Sequence, residues 1–137
     1  MSPKLSFYFK TTDPEFTVQT QTISSKPGNL VQLIFIRCPI YNKCNEQIGY
    51  KTSTDTLQQL GPNLYSVRIS NTYYINGEGT INWEYSFLNS TPSVLYPINV
   101  LAESTIVSGT GEFVGAKGNV TLLPTPDGVR HVKIYFK

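Results

Sequence analysis

The chain has 137 residues, and we expect a single domain over residues 1–137 because this length is enough to bury one sizeable core. Its 39% hydrophobic and 12% aromatic residues are typical of a globular protein, whereas 15% charged residues is low. The net charge is +2 and the cations are scattered, so the sequence lacks the clustered positive charge that nucleic-acid binding requires.

The chain begins without an apolar segment of signal-peptide length, and no run of about 18 apolar residues occurs along it. We therefore expect no membrane span and an intracellular, by default cytoplasmic, protein. Alternation of apolar and polar residues dominates instead, which is typical of strands with one buried face. The first strands are predicted at residues 4–10, 16–23 and 30–36.

The segment 30–36 is almost continuously apolar. Both faces of such a strand should be covered, as in a central strand or at a subunit contact. This segment is therefore the best candidate for an oligomer interface.

Cys38 and Cys44 lie six positions apart. In a reducing compartment we expect packing thiols, with a local disulfide as the less favoured reading. A zinc site would need four ligands, and the one histidine, His131, is far away in sequence, so no metal and no cofactor are predicted.

The middle of the chain contains the clearest strands. Residues 46–54 read as one strand, and residues 51–60 as a stretch that coils or takes a helical turn. Residues 64–70 and 80–87 both alternate, and the turn formers in 76–79 predict that these two strands pair as a hairpin. Tyr73, Trp83 and Tyr85 fall here and would suit ligand stacking, although alternate aromatics more often fill the core.

The remaining strands are predicted at residues 100–107, 118–123 and 129–136. Eight or nine short strands without helices indicate either a closed antiparallel eight-stranded barrel or, as the alternative, a β-sandwich. His131 alternates with apolar neighbours and is read as exposed or structural.

The segment Ser108 to Val120, with its Gly-Thr-Gly turn, Phe113 and an Ala-Lys-Gly triplet, resembles dirigent proteins and allene oxide cyclases. Its glycines permit a tight turn, and Phe113 is expected to plug one end of the barrel. Shorter pieces at 28–31, 48–50 and 133–136 agree in order, so the resemblance spans most of the chain.

The resemblance implies a calycin-type barrel, commonly a trimer, with a hydrophobic ligand in the lumen. Glu112 and Lys117 match positions that dirigent proteins use on their substrate, and they are the candidate catalytic residues. The His-Asp pair of that family falls on Lys10 and Thr11, however, so a proton-handling carboxylate is missing. Lysine also lacks the planar fork of the arginine found there.

Three functions stay open at this point. The first is a non-catalytic barrel that binds a hydrophobic small molecule or a partner, with Trp83, Tyr85, Tyr73 and Phe113 as candidate ligand contacts. The second is a structural or assembly protein, such as a virion or coat component. The third is a dirigent-like or cyclase-like enzyme, which the partial match of catalytic residues disfavours.

Overall fold

The computed structural model describes residues 5–137, which form nine strands and one short 3-10 turn at Gly111–Phe113. The predicted first strand includes Lys4, which lies outside the described residues. In chain order the strands are β1 (Leu5–Lys10), β2 (Thr17–Ser24), β3 (Val31–Tyr41), β4 (Gln47–Gly61), β5 (Leu64–Ile75), β6 (Gly79–Asn89), β7 (Ala102–Gly109), β8 (Gly118–Pro124) and β9 (Val129–Phe136).

Eight of these strands close into an antiparallel barrel. Their order is β1-β9-β8-β7-β6-β5-β4-β3, and the ring is completed where β1 pairs with β3 at Tyr8 and Tyr41. The closed barrel that the sequence predicted is confirmed. β2 pairs only with β3 and lies outside the ring.

Inward-facing residues alternate along the strands and fill the lumen, as expected for a barrel of this size. Trp83 and Tyr73 are fully buried at its centre, and the Trp83 Nε1–H donates to the Tyr73 hydroxyl at 2.9 Å. The other fully buried large side chains are Ile40, Leu57, Ile69, Ile81, Leu122, Ile134, Val67, Val120, Val132 and Asn71.

The 3-10 turn lies at one end of the barrel. Phe113 is buried there and stacks on Phe136 with ring centroids 6.0 Å apart, which is consistent with the predicted plug. Gly118 begins the next strand at φ 143°, and a Cβ there would lie 2.0 Å from the Tyr135 carbonyl oxygen. Glycine is required here because the two backbones touch.

The hairpin predicted between residues 70 and 80 is confirmed, since Ile75 pairs with Gly79 and Gly77 has the positive φ of 73° that the turn needs. The coil or helical turn predicted for residues 51–60 is wrong. That stretch is the middle of β4, the longest strand, with 15 residues.

The outer face of β3 is not fully covered within a single chain, and the subunit contact expected there stays a prediction. β3 is paired on both edges, but Phe35 on its outer face is 40% exposed. Both thiols are free. Cys38 is buried in the core as predicted, whereas Cys44 is exposed in a turn and is not a core packing residue.

No helix within residues 5–137 has the length and apolar character needed to cross a bilayer.

Candidate functional site

A row of polar side chains on β4 points into the lumen. Lys51, Ser53 and Asp55 pair with the buried residues Cys38, Ile36 and Ile34 of β3, in that order. Directly opposite residues in an antiparallel ladder share a face, so all three polar groups lie on the inner side. They are buried, with Asp55 only 1% exposed.

Three further residues complete this polar region. Asn71 of β5 lies opposite Ser53, Arg130 enters from the start of β9, and Tyr96 enters from the connection between β6 and β7. All three are buried. We call the set the lumen cluster, and its members are Lys51, Ser53, Asp55, Asn71, Tyr96 and Arg130.

The hydrogen bonds of the lumen cluster are incomplete. Lys51 Nζ donates to Ser53 Oγ at 3.4 Å, and Asn71 Nδ2 donates to the Tyr96 hydroxyl at 3.0 Å. Asp55 Oδ1 and Asn71 Oδ1 are buried and accept no hydrogen bond. Most buried polar atoms in proteins have a partner, so two orphaned acceptors in one place mark an unusual site.

The charges of the cluster are close but not in contact. Among residues 5–137 the ion pair shorter than 4.0 Å is Arg68 with Glu84, on the outside of the barrel. Lys51 instead places Nζ 4.6 Å from the centre of the Phe9 ring. The cluster therefore holds two cations and one carboxylate with little direct compensation, which is costly at such depth.

Burial shifts the protonation of this cluster. It raises the pKa of Asp55 to about 6, against which the positive charge of Lys51 acts. Burial also lowers the pKa of Lys51, although Cys38 and Asp55 nearby oppose that shift. Burial therefore favours the uncharged forms of Asp55 and Lys51 more than water does.

Asp55 should make the protein more stable in mild acid. Its pKa is about 6 when folded and 3.8 in water. The folded chain keeps the proton that the unfolded chain loses, so the free energy of unfolding falls as pH rises from about 4 to about 6, by on the order of 3 kcal/mol. Urea denaturation across this range should show this slope in the wild type. Asp55→Asn should lack it, and an equal slope in both proteins would contradict the assignment.

The cluster is covered by the β6–β7 connection, residues 90–101. Tyr96 inserts its ring 6.0 Å from that of Tyr85 and 6.3 Å from that of Phe87. Its neighbours Leu95 and Ile98 are exposed. Among the described residues, the backbone of 94–98 makes no hydrogen bond to a barrel strand. Tyr96 and the Asn99 N–H, which donates to the Pro124 carbonyl oxygen of β8 at 2.8 Å, therefore anchor this cover.

The covered end is almost full. The space beside the cluster is about 20 Å³, roughly what one water molecule needs. A larger molecule can reach Asp55 and Arg130 only if the Tyr96 side chain leaves its place. Val94, Leu95 and Tyr96 of the β6–β7 connection line this space, so we expect access to the cluster through that connection.

The residues predicted from sequence do not share one site. Glu112 and Lys117 are exposed beside the turn where β6 begins, whereas the cover follows the end of β6. Their catalytic role stays a prediction. Tyr73 and Trp83 are bonded to each other in the core, and Tyr85 contacts Tyr96.

Sequence reasoning missed the lumen cluster. Its signal was the spacing of Lys51, Ser53 and Asp55, which places all three on one face of a strand. Because that face is polar, it lacks apolar alternation, so the strand predicted at residues 46–54 stopped short of Asp55 and its inward face was not recognised. His131 is exposed on the outer face of β9. Within residues 5–137, no three His, Cys, Asp or Glu side chains are grouped as a metal site would need.

The fold and the site define an eight-stranded antiparallel barrel with a polar, covered lumen end. No protein-family model matches the chain, and no curated protein matches it either. Among solved structures, pyocyanin demethylase is similar over 97% of this chain and 98% of its own, with a TM-score of 0.66 and 15% identity. This likeness establishes a shared fold.

Proposed function

We propose that the protein binds a small molecule in the lumen cluster, beneath Tyr96. The observation that carries the proposal is the pair of orphaned buried acceptors, Asp55 Oδ1 and Asn71 Oδ1, beside the buried cations Lys51 and Arg130. A barrel needs none of these groups for stability, because apolar residues of similar volume would fill the space at lower cost. Groups retained at such a cost are typical of binding and catalytic sites.

The surroundings define what such a molecule must offer. Tyr85 and Phe87 border the space that the Tyr96 ring vacates when it leaves its place, so the molecule should carry a flat apolar part. Asp55 and Asn71 need hydrogen-bond donors, and Lys51 can donate to an acceptor. A ring bearing a group that both donates and accepts meets all three requirements.

The shared fold supports this class of function. The similar structure belongs to a protein named for acting on pyocyanin, and the likeness covers nearly all of both chains. Enclosed barrel lumens are common binding sites for small ligands. We extend only the idea of a small-molecule barrel to this chain.

A proton-transfer enzyme is the second candidate. Asp55, whose pKa burial raises to about 6, and Lys51, whose pKa burial lowers, both lie in the lumen. A carboxylate with a pKa near neutrality is suited to take a proton from a bound molecule. In this version Asp55 is the base, in place of the Glu112 and Lys117 predicted from sequence.

Benzamide is a suitable probe, because its ring is the flat apolar part and its amide both donates and accepts. Titration into ¹⁵N-labelled protein, followed by NMR, should shift the Asn71 side-chain amide and the single indole signal, that of Trp83. Tyr96→Ala should bind about tenfold more tightly, because the ring no longer has to be displaced.

Toluene, which lacks the amide, tests whether the site recognises polar groups or is only an apolar cavity. In Tyr96→Ala, benzamide should be preferred to toluene, and adding Asp55→Leu should abolish the preference. If both probes bind equally, with or without Asp55, the site is an apolar cavity that does not recognise the polar group of benzamide. Absence of any shift in wild type and Tyr96→Ala would contradict the proposed function.

A further inference from the structure

β2 is the one strand of residues 5–137 that pairs with a single neighbour. Each of the eight barrel strands has a neighbour on both sides, whereas β2 pairs only with β3. Seven of its eight residues are exposed, Thr17 to Ile23, and only Ser24 is half-buried. A row of unpaired backbone N–H and C=O groups is a ready template for another strand.

This edge carries little of the protection that natural edge strands usually have. Thr-Val-Gln-Thr-Gln-Thr-Ile-Ser contains no charged residue and no proline, and its one irregularity lies near the end, between Thr22 and Ser24. Val18 is 51% exposed and Ile23 56% exposed. Threonine and valine also favour extended backbone, so residues 17–22 are ready to pair.

The outer face beside this edge is also uncovered. Phe35 of β3, opposite Gln19, is 40% exposed. It lies in a shallow groove of about 300 Å³ together with Thr17, Arg37 and Thr52. The edge and the groove form one continuous surface, which we call the β2 surface, defined by residues 17–24 and Phe35.

We propose that the β2 surface binds a second copy of this chain, with the two β2 strands pairing antiparallel about a two-fold axis. When two folded proteins pair through strands, each supplies a free edge, and another copy of this chain supplies one of matching length. Because β2 is uncharged, facing itself brings no like charges together. With the axis at Thr20, Thr20 faces its own counterpart, and Gln19 faces Gln21 of the partner subunit.

Such a dimer is closed, because a two-fold contact uses the same surface on both subunits. It joins the two sheets through their β2 edges. The proposal is independent of the lumen site, and neither depends on the other being right.

Sedimentation velocity from about 1 to about 200 µM tests it, in the range where weak dimers dissociate. The wild type should pass from the 15.3 kDa monomer toward twice that mass as concentration rises. Thr20→Lys should weaken the dimer by about tenfold or more, since two lysines would face each other. Thr105→Lys, an exposed threonine on β7, is the matched control and should dimerise like the wild type.

A cross-link checks the geometry. In a Cys44→Ser background, which removes the exposed thiol, Thr20→Cys should form an intersubunit disulfide on mild oxidation. Val107→Cys, exposed on β7, should not. A monomer at every concentration, a trimer, or a dimer untouched by Thr20→Lys would each overturn the proposal.

Discussion

Gly118→Ala is expected to lower the free energy of unfolding of the barrel by about 4 kcal/mol or more. A loss of this size is exceptional for a substitution that removes no contact. The new Cβ would lie 2.0 Å from the Tyr135 carbonyl oxygen, and that oxygen belongs to backbone in the paired strand β9. Neither strand can move away without breaking its ladder. The backbone also has φ 143°, which L residues rarely adopt. Urea denaturation of wild type and variant measures the loss.

Gly115→Ala is the matched control, from the same segment. Its φ of 73° is strained for alanine, but nothing lies within 4 Å of the added Cβ. It should cost only about 1 kcal/mol, the usual penalty for left-handed backbone. Equal losses in the two variants would mean that backbone strain, and not the contact between β8 and β9, requires Gly118.

The double variant Lys51→Met/Asp55→Asn is expected to be more stable than the wild type by about 1–4 kcal/mol at neutral pH. It removes a buried cation and a buried carboxylate whose pKa values burial shifts toward neutrality. Methionine has nearly the volume of lysine and packs well in irregular cores. Thermal and urea denaturation measure the gain.

The single variants should behave differently from the pair. Lys51→Met alone leaves Asp55 without its nearby cation, and Asp55→Asn alone leaves Lys51 without its nearby carboxylate. At least one single variant should therefore be less stable than the double variant, a coupling that a double-mutant cycle measures. The double variant should also lose benzamide binding. A double variant that is less stable than the wild type would mean that the cluster supports the fold.

Much of the fold could be predicted because most strands obey one simple rule. In β5 and β6, apolar Val67, Ile69, Ile81 and Trp83 alternate with polar residues, and glycines lie at the turn between them. The number of strands and the absence of long helices then limited the choice to a barrel or a sandwich. Closure of the barrel depends on one residue pair between β1 and β3, and no local sequence pattern reveals that this pair forms.

The lumen cluster could not be predicted for a related reason. Alternation identifies a strand when its inner face is apolar, and β4 presents Lys51 and Asp55 inward. Both faces are polar over residues 51–56, so the sequence does not show which face of the strand predicted at residues 46–54 points inward, or that the strand continues to Gly61. Tyr96 lies in an irregular connection, where neither periodicity nor turn chemistry indicates which side chain enters the core. Glu112 and Lys117 came from a resemblance, and both are exposed.

The plug formed by Phe113 and Phe136 has a consequence for the rate of exchange. With Phe113 filling that end, we expect a molecule bound in the lumen cluster to enter and leave past Tyr96. Its association and dissociation would then both be limited by how often the Tyr96 side chain moves out of its place. Weak and tight ligands would share a slow association rate and differ mainly in how long they stay bound.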